Sequence, residues 1–268
     1  MKLKLILILL MTSFLGGCLF DKSPTGRHQA LLYSEQDMAA MGKTSFEQMI
    51  KTQQVNRNPA VNAYVNCITQ RIINELPGPK LHWQVVVFDS PQVNAFALPG
   101  GYIGVYTGLL RVANTPDQLA TVLAHEVAHV LAQHGNEQVS RAQATDWGLK
   151  LTDWALGQAE TEHRQLVMAA LGLGAEYGVI LPFGRAQETE ADVMGLTLMA
   201  KAGFNPKASI ALWHNMAKAS GGANPPELLS THPSNDSRIE ELTKLQREAE
   251  PLYRQSMKQG LPQCRLGR

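Results

Sequence analysis

The feature that most constrains the fold of this chain is a helix whose first residues carry a clear capping signal. Thr115-Pro116-Asp117-Gln118 combines a capping threonine, a proline suited to the first helical position and a glutamine three residues after the cap. Gly135 stands where a helix commonly ends. The sequence therefore predicts a helix of roughly 19 residues between these two signals.

This predicted helix carries the motif His125-Glu126-Val127-Ala128-His129. Histidines four residues apart lie on one helix face, one turn apart, which suits two ligands of a single zinc ion. Glu126 can reach a metal-bound water and act as general base. A buried helix with two hydrogen-bonded histidines is the alternative interpretation. We expect His134, five residues after His129, to cap the helix end rather than to bind metal.

A second, acidic helix offers a third ligand. Residues 185–195, RAQETEADVMG, lie in an apolar helical run, and Glu188 and Asp192 are four apart on one face. We expect Glu188 to bind zinc and Asp192 to accept the free N–H of a histidine ligand. Glu190 points about 160° away from both. A solvated acidic face is the alternative.

Four short motifs together resemble the gluzincin-type zinc metalloproteases. That family includes the CAAX prenyl protease, the HtpX and Oma-type proteases, and periplasmic lipoprotein peptidases of the BepA and LoiP kind. The matching stretches, in the family's order, are NAFALPGG at 94–101, HEVAH at 125–129, ETEAD at 188–192 and STHP at 230–233, followed by Arg238. A series of four motifs is far more specific than the zinc motif alone.

The resemblance implies one zinc ion per chain, with His125, His129 and Glu188 as ligands and Glu126 as the base. It places His232 beside the metal. There this side chain either stabilises the oxyanion of the reaction as a further catalytic residue, or occupies the fourth ligand position in a latent resting state.

The same resemblance gives supporting roles to other residues. Asp192 would orient a ligand, and Arg238 would hold the loop of the last motif or contact the site. The strand at Asn94, Ala95 and Phe96 would be the edge that pairs with an extended substrate.

The predicted elements favour an α+β fold, a mostly helical zincin-type metalloprotease domain with a small β-sheet beside the active-site helix. Residues 82–88, HWQVVVF, read as a strand, and residues 94–106 read as a hairpin that turns at Pro99-Gly100-Gly101. After Thr115 the chain is predicted to be mostly helical.

The first residues are predicted to be a targeting signal. Residues 1–17, with two lysines and an apolar run, read as a lipoprotein signal peptide. Cys18 would be lipidated, residues 18–32 would form the lipid anchor and tether, and residues 33–268 the metallopeptidase domain. This predicts a bacterial outer-membrane lipoprotein facing the periplasm, held to the membrane through Cys18. An ordinary cleaved signal is the alternative.

The chain has three cysteines, so lipidation of Cys18 would leave Cys67 and Cys264 as an even pair. In an oxidising compartment these two can form a disulfide, with two free thiols as the alternative.

The apolar stretch 166–183 contains a glutamate and ends near a proline. We expect it to pack beside the active site, and contact with a membrane surface is the alternative.

Charge and motifs together set the predicted function. The net charge is 24 − 23 = +1, which argues against a nucleic-acid partner bound by phosphate neutralisation. We predict a zinc endopeptidase for unfolded or misassembled envelope proteins, acting in periplasmic quality control, with the envelope assembly machinery as a further candidate partner. A chaperone-like assembly factor with a latent zinc site is the alternative.

Overall fold

The computed structural model describes residues 20–78, 82–144, 182–219, 227–232, 236–260 and 262–266. The predicted signal peptide, Cys18 and most of the apolar stretch 166–183 lie outside these residues. Among the helices that are described, none is both long enough and apolar enough to cross a bilayer.

A two-stranded hairpin opens the described chain. β1 (Phe20–Lys22) pairs antiparallel with β2 (His28–Ala30). In the turn between them, the Arg27 guanidinium forms ion pairs with Glu137 at 2.7 Å and Glu190 at 2.8 Å. The part of the predicted tether that is described is therefore folded against the domain. Its acidic partners are more than a hundred residues away, so no local pattern indicates this contact.

Two capped helices follow. α1 (Glu35–Thr52) begins after Ser34, whose hydroxyl accepts a hydrogen bond from the Asp37 N–H at 3.1 Å. α2 (Pro59–Asn74) begins after Asn58, with proline at its first position. One face of α2 is buried in the main core.

A three-stranded sheet contacts both of these helices and the active-site helix, and α2 also contacts the active-site helix directly. It contains β3 (Gln84–Phe88), β4 (Ala95–Leu98) and β5 (Tyr102–Tyr106) in the order β3-β5-β4. β5 is parallel to β3 and antiparallel to β4, so the predicted hairpin is confirmed. Its turn uses Gly100 and Gly101, with φ values of 89° and 90° that disfavour other residues.

The active-site helix is shorter than predicted. α3 (Pro116–Leu131) begins after Thr115, whose hydroxyl accepts a hydrogen bond from the Gln118 N–H at 3.2 Å. It ends at Leu131, and Gln133 takes a positive φ of 54°. Residues 134–144 then form a new helix, α4. Gly135 is thus inside α4 and does not end α3.

The remaining helices complete the mostly helical α+β fold. They are α5 (Arg185–Lys201), α6 (Ala208–Ala219), α7 (Glu227–Thr231) and α8 (Asp236–Met257). α5 packs closely along α3, because a Cβ added to Gly195 would lie only 3.0 Å from the His125 backbone nitrogen. A disulfide joins Cys67 on α2 to Cys264 near the C-terminus, with Cα atoms 5.6 Å apart.

Candidate active site

The predicted ligands on α3 and α5 meet in one buried cluster. Nε2 of His125 lies 3.0 Å from Nε2 of His129. The two carboxylate oxygens of Glu188 lie 3.5 Å from these two nitrogens, one from each. All three side chains are buried. The i, i+4 spacing on α3 and the close contact between α3 and α5 produce this convergence.

His232 completes the cluster from a separate element. Its Nδ1 lies 2.8 Å from Glu188 and 3.3 Å from Nε2 of His125, and its Nε2 lies 3.3 Å from Glu126. The short helix α7 holds it there, because the Leu228 N–H donates to the Val93 carbonyl just before β4. His232 is therefore fixed relative to both the ligands and the sheet.

These four side chains fit a zinc ion. One ligand atom from each of His125, His129, Glu188 and His232 lies within 4.8 Å of the other three. Imidazole nitrogens with one carboxylate oxygen form a donor set that zinc binds readily. The Oε1 atom of Glu126 is buried beside them, 3.3 Å from Nε2 of His232 but without the geometry of a hydrogen bond to it or to any other described residue. Such an oxygen is well placed to accept a proton from water at the centre.

Asp192 and Arg238 support the ligands. Oδ1 of Asp192 lies 3.0 Å from Nδ1 of His125, on the side of the ring opposite the cluster. Arg238 donates to both oxygens of Asp192 at 2.8 Å and forms an ion pair with Glu188 at 2.6 Å. The two residues thus connect the predicted ligand His125 to the predicted ligand Glu188.

The electrostatics of the cluster suit metal binding. Burial and the neighbouring His125 lower the pKa of His129 well below its usual value, so its ring is neutral and able to bind a cation. Burial acts against ionisation of Glu188, but His232 and His125 outweigh it and lower the pKa well below the usual range. For His125, the hydrogen bonds that its ring donates to Asp192 and Glu188 outweigh burial and raise the pKa to about 9. A bound cation competes with that proton.

Glu126 has the properties of a general base. Burial raises the pKa of its carboxyl, and the effect of nearby His232 and His125 opposes this only in part. The backbone N–H of Ala97 on β4 faces the Glu126 carboxyl and also opposes the rise of its pKa. The carboxylate therefore stands between the predicted metal ligands and the sheet, with a raised pKa.

The predicted substrate strand lies beside this carboxylate. Ala95 and Phe96 belong to β4, and Asn94 directly precedes it, with its carbonyl accepting from the Tyr106 N–H at 3.1 Å. All three side chains are buried. β4 is an edge strand of the sheet within the described chain.

Phe183 covers one side of the cluster. Its ring centroid lies 4.1 Å from that of His129 and 5.3 Å from that of His232. The Phe183 N–H donates to the Thr231 carbonyl at 3.0 Å. Phe183 ends the apolar stretch that is predicted to pack beside the site, but no sequence pattern identifies this ring as the contact.

Two further buried residues lie beside the cluster without a sequence signal that places them there. His134 is predicted to cap α3, yet its Nδ1 lies 2.9 Å from Nδ1 of His129. Its Nε2 lies 3.1 Å from Glu190, for which no role was predicted. The break at Gln133 carries neither glycine nor proline, so the sequence holds no local signal for the turn that brings them together.

A helical His-Glu-x-x-His motif with a glutamate ligand from a second helix defines a zinc metallopeptidase centre. The sequence model of peptidase family M48 matches residues 36–246, and the chain belongs to that family. Metalloproteases of this family use zinc, which agrees with the ligand cluster.

Several curated proteins are similar to this chain. The mitochondrial metalloendopeptidase OMA1 of Schizosaccharomyces pombe is 36% identical over 70% of this chain and 53% of its own length. OMA1 of Bos taurus is 32% identical over 82% of this chain and 45% of its own length. The β-barrel assembly-enhancing protease of Yersinia pestis is 29% identical over 83% of this chain and 46% of its own length. The chain spans about half the length of these relatives.

The comparisons correct the predicted location. Relatives at 32% and 36% identity are mitochondrial by name, and the bacterial relative shares fewer residues. The prediction of a bacterial outer-membrane lipoprotein facing the periplasm is therefore wrong, and a lipid anchor on Cys18 gains no support. A basic, apolar leader shows that a chain is exported or targeted, but such a local signal does not by itself fix the compartment.

Proposed function

We propose that this metallopeptidase is an endopeptidase that binds a segment of an unfolded or misassembled protein as an extended strand along β4, and so serves protein quality control. The observation that carries this proposal is that Ala97 on β4 turns its N–H toward Glu126 and lowers the pKa of that carboxyl. This supports a substrate strand bound along the free edge of β4, beside the proposed base.

The ladder explains why this edge suits a peptide. Asn94 bonds to β5 through its carbonyl, and Ala95 pairs with Val105 in the next position. Because the hydrogen-bonding direction alternates along an antiparallel strand, Ala95 and Ala97 direct their N–H and C=O groups to the free edge. A substrate strand added there lies beside Glu126, and an unfolded chain can adopt that conformation where a folded one cannot.

The chemistry follows from the residues present. Zinc held by His125, His129 and Glu188 would lower the pKa of a bound water toward 7 and polarise the scissile carbonyl. Glu126 accepts the proton of the attacking water and passes it to the leaving amine. His232 can donate a hydrogen bond to the developing oxyanion once it leaves Glu188.

The names of relatives support the substrate class. The Yersinia pestis protein is named for enhancing β-barrel assembly, which fits misassembled proteins as substrates. The OMA1 relatives are named as endopeptidases, which fits cleavage within a chain rather than at its ends.

Backbone methylation of a substrate tests strand pairing without altering the enzyme. A cleaved peptide is made as a series in which one N–H at a time carries a methyl group. We expect kcat/KM to fall about 2–12-fold at alternate residues, the value of one hydrogen bond, and to change little at the residues between them. A loss without a period of two contradicts pairing with β4.

Two contacts favour a second candidate function, a chaperone-like assembly factor with a latent zinc site. Nδ1 of His232 lies 2.8 Å from Glu188, and the Phe183 ring packs against His129. Both contacts close the cluster. If unfolded protein binds but is never cleaved by zinc-loaded enzyme, while the Glu126→Gln variant keeps full cellular function, the assembly role replaces the proteolytic one.

A further inference from the structure

A buried chain of contacts leads away from the far side of the ligand His129. Nε2 of His129 faces His125 and Glu188, so this nitrogen is the one on the metal side. The other ring nitrogen, Nδ1, lies 2.9 Å from Nδ1 of His134. His134 is fully buried, and its own second nitrogen lies 3.1 Å from Oε2 of Glu190.

The backbone break after α3 makes this contact. In a continuous helix, His134 would lie about 140° around the axis from His129 and would face elsewhere. Instead α3 ends at Leu131 and Gln133 adopts a φ of 54°, a conformation unfavourable for a residue with a side chain. α4 then begins at His134 and directs the imidazole at His129. A strained residue at this point fits a functional constraint.

The ring protons have one consistent arrangement. A neutral imidazole carries one proton, and the nitrogen that binds a metal must be free of it. His129 therefore carries its proton on Nδ1 and donates it to Nδ1 of His134. His134 carries its own proton on Nε2 and donates it to the Glu190 carboxylate. Every donor in this chain has one acceptor.

Glu190 is held in turn by the N-terminal hairpin. The Thr25 hydroxyl donates to its Oε1, and Nε of Arg27 donates to its Oε2 at 2.8 Å. Arg27 also bonds to both oxygens of Glu137 at 2.7 and 3.0 Å, and Gln187 donates to Glu137 at 2.9 Å. The Glu190 carboxylate, the last group in this series of contacts, is thus fixed by residues from three parts of the sequence.

We propose that His134 is a positioning residue for the metal ligand His129, backed by Glu190 and, through Arg27, by the hairpin at residues 20–30. Residues that bond to the free N–H of a histidine ligand fix its tautomer and ring orientation, and their loss commonly weakens metal binding about 10–100-fold. Here a second histidine stands between the ligand and the carboxylate. The inference concerns the metal centre and holds for any substrate.

Two amide variants of His134 separate the two ends of its ring. Asparagine places an acceptor near the position of Nδ1 and so keeps the bond to His129. Glutamine places its amide near Nε2 and keeps the bond to Glu190 alone. Zinc affinity is measured by competition with a chromophoric chelator. We expect His134→Gln to lose about 10–100-fold and His134→Asn to stay within about threefold of wild type. His214→Gln, on the exposed face of α6, serves as the control.

The visible spectrum of the cobalt-substituted protein supplies a readout that packing alone does not move. We expect the absorption bands to shift in His134→Gln and Glu190→Gln and to stay in place in His214→Gln, because only the first two alter the orientation of His129. Equal losses in His134→Asn and His134→Gln would mean that packing matters and positioning does not. Wild-type zinc affinity in His134→Gln would likewise overturn the proposal.

Discussion

The guanidinium of Arg238 donates to both carboxylate oxygens of Asp192, from Nε and Nη2, at 2.8 Å each. The same group lies 4.3 Å from the centre of the Trp213 ring, which fixes its plane. Asp192 in turn contacts Nδ1 of the predicted ligand His125 at 3.0 Å. The orientation of one predicted metal ligand therefore depends on the geometry of an arginine on another helix.

Replacing Arg238 tests that dependence. Arg238→Lys keeps the charge but cannot make two parallel bonds to a carboxylate, so we expect zinc affinity to fall about tenfold. Arg238→Met leaves the buried carboxylates without their cation, and we expect a loss of about 3–5 kcal/mol in the free energy of unfolding. Chelator competition and urea unfolding measure the two effects. Unchanged zinc affinity in the lysine variant would show that the paired bonds are not needed.

The close approach of α3 and α5 gives a second prediction. A Cβ on Gly195 would lie 3.0 Å from the nitrogen and 3.1 Å from the Cα of His125. Gly195→Ala must push α5 away from α3, and we expect a loss of about 1–3 kcal/mol in the free energy of unfolding together with weaker zinc binding. Gly195→Val should be worse on both measures. Equal values for glycine, alanine and valine would contradict the proposed close packing.

Some of this site could be read from local spacing and some could not. The pairs His125 and His129, and Glu188 and Asp192, are each four residues apart, and helix geometry alone puts each pair on one face. The roles of His232 and Arg238 depended on resemblance to a family, because nothing local links α7 and α8 to α3. The hairpin contacts of Arg27 depend on tertiary packing, which hydrophobic period and capping signals do not encode.

The disulfide gives a third prediction. Cys67 and Cys264 are 197 residues apart in sequence, and closing so long a loop stabilises the folded state by about 5 kcal/mol in the entropic model. We expect reductant to lower the urea midpoint of the wild type. The double variant Cys67→Ser/Cys264→Ser should show the lower midpoint with or without reductant. A wild-type urea midpoint that stays the same when reductant is added would contradict a stabilising disulfide.

Glu190 predicts a dependence of stability on pH. Burial raises the pKa of its carboxyl, but hydrogen bonds from Ser23, Thr25, Arg27 and His134 outweigh burial and hold it at about 2. The folded-state pKa lies below the unfolded value of about 4.3, so the stabilisation is present above that value and is lost as pH falls toward 2. We expect the stability difference between wild type and Glu190→Gln to shrink between pH 5 and pH 2. A difference that stays constant over that range would contradict an ionised, bonded Glu190.

The central claim is that the buried cluster on α3 and α5 is a zinc centre at which Glu126 is the base for peptide hydrolysis. The most direct measurement combines zinc content with cleavage of an unfolded protein such as casein, for wild type and Glu126→Gln. We expect one zinc per chain in both, cleavage by the wild type that a chelator abolishes, and a loss of about 100-fold or more in the variant. Wild-type cleavage by fully zinc-loaded Glu126→Gln would contradict the account.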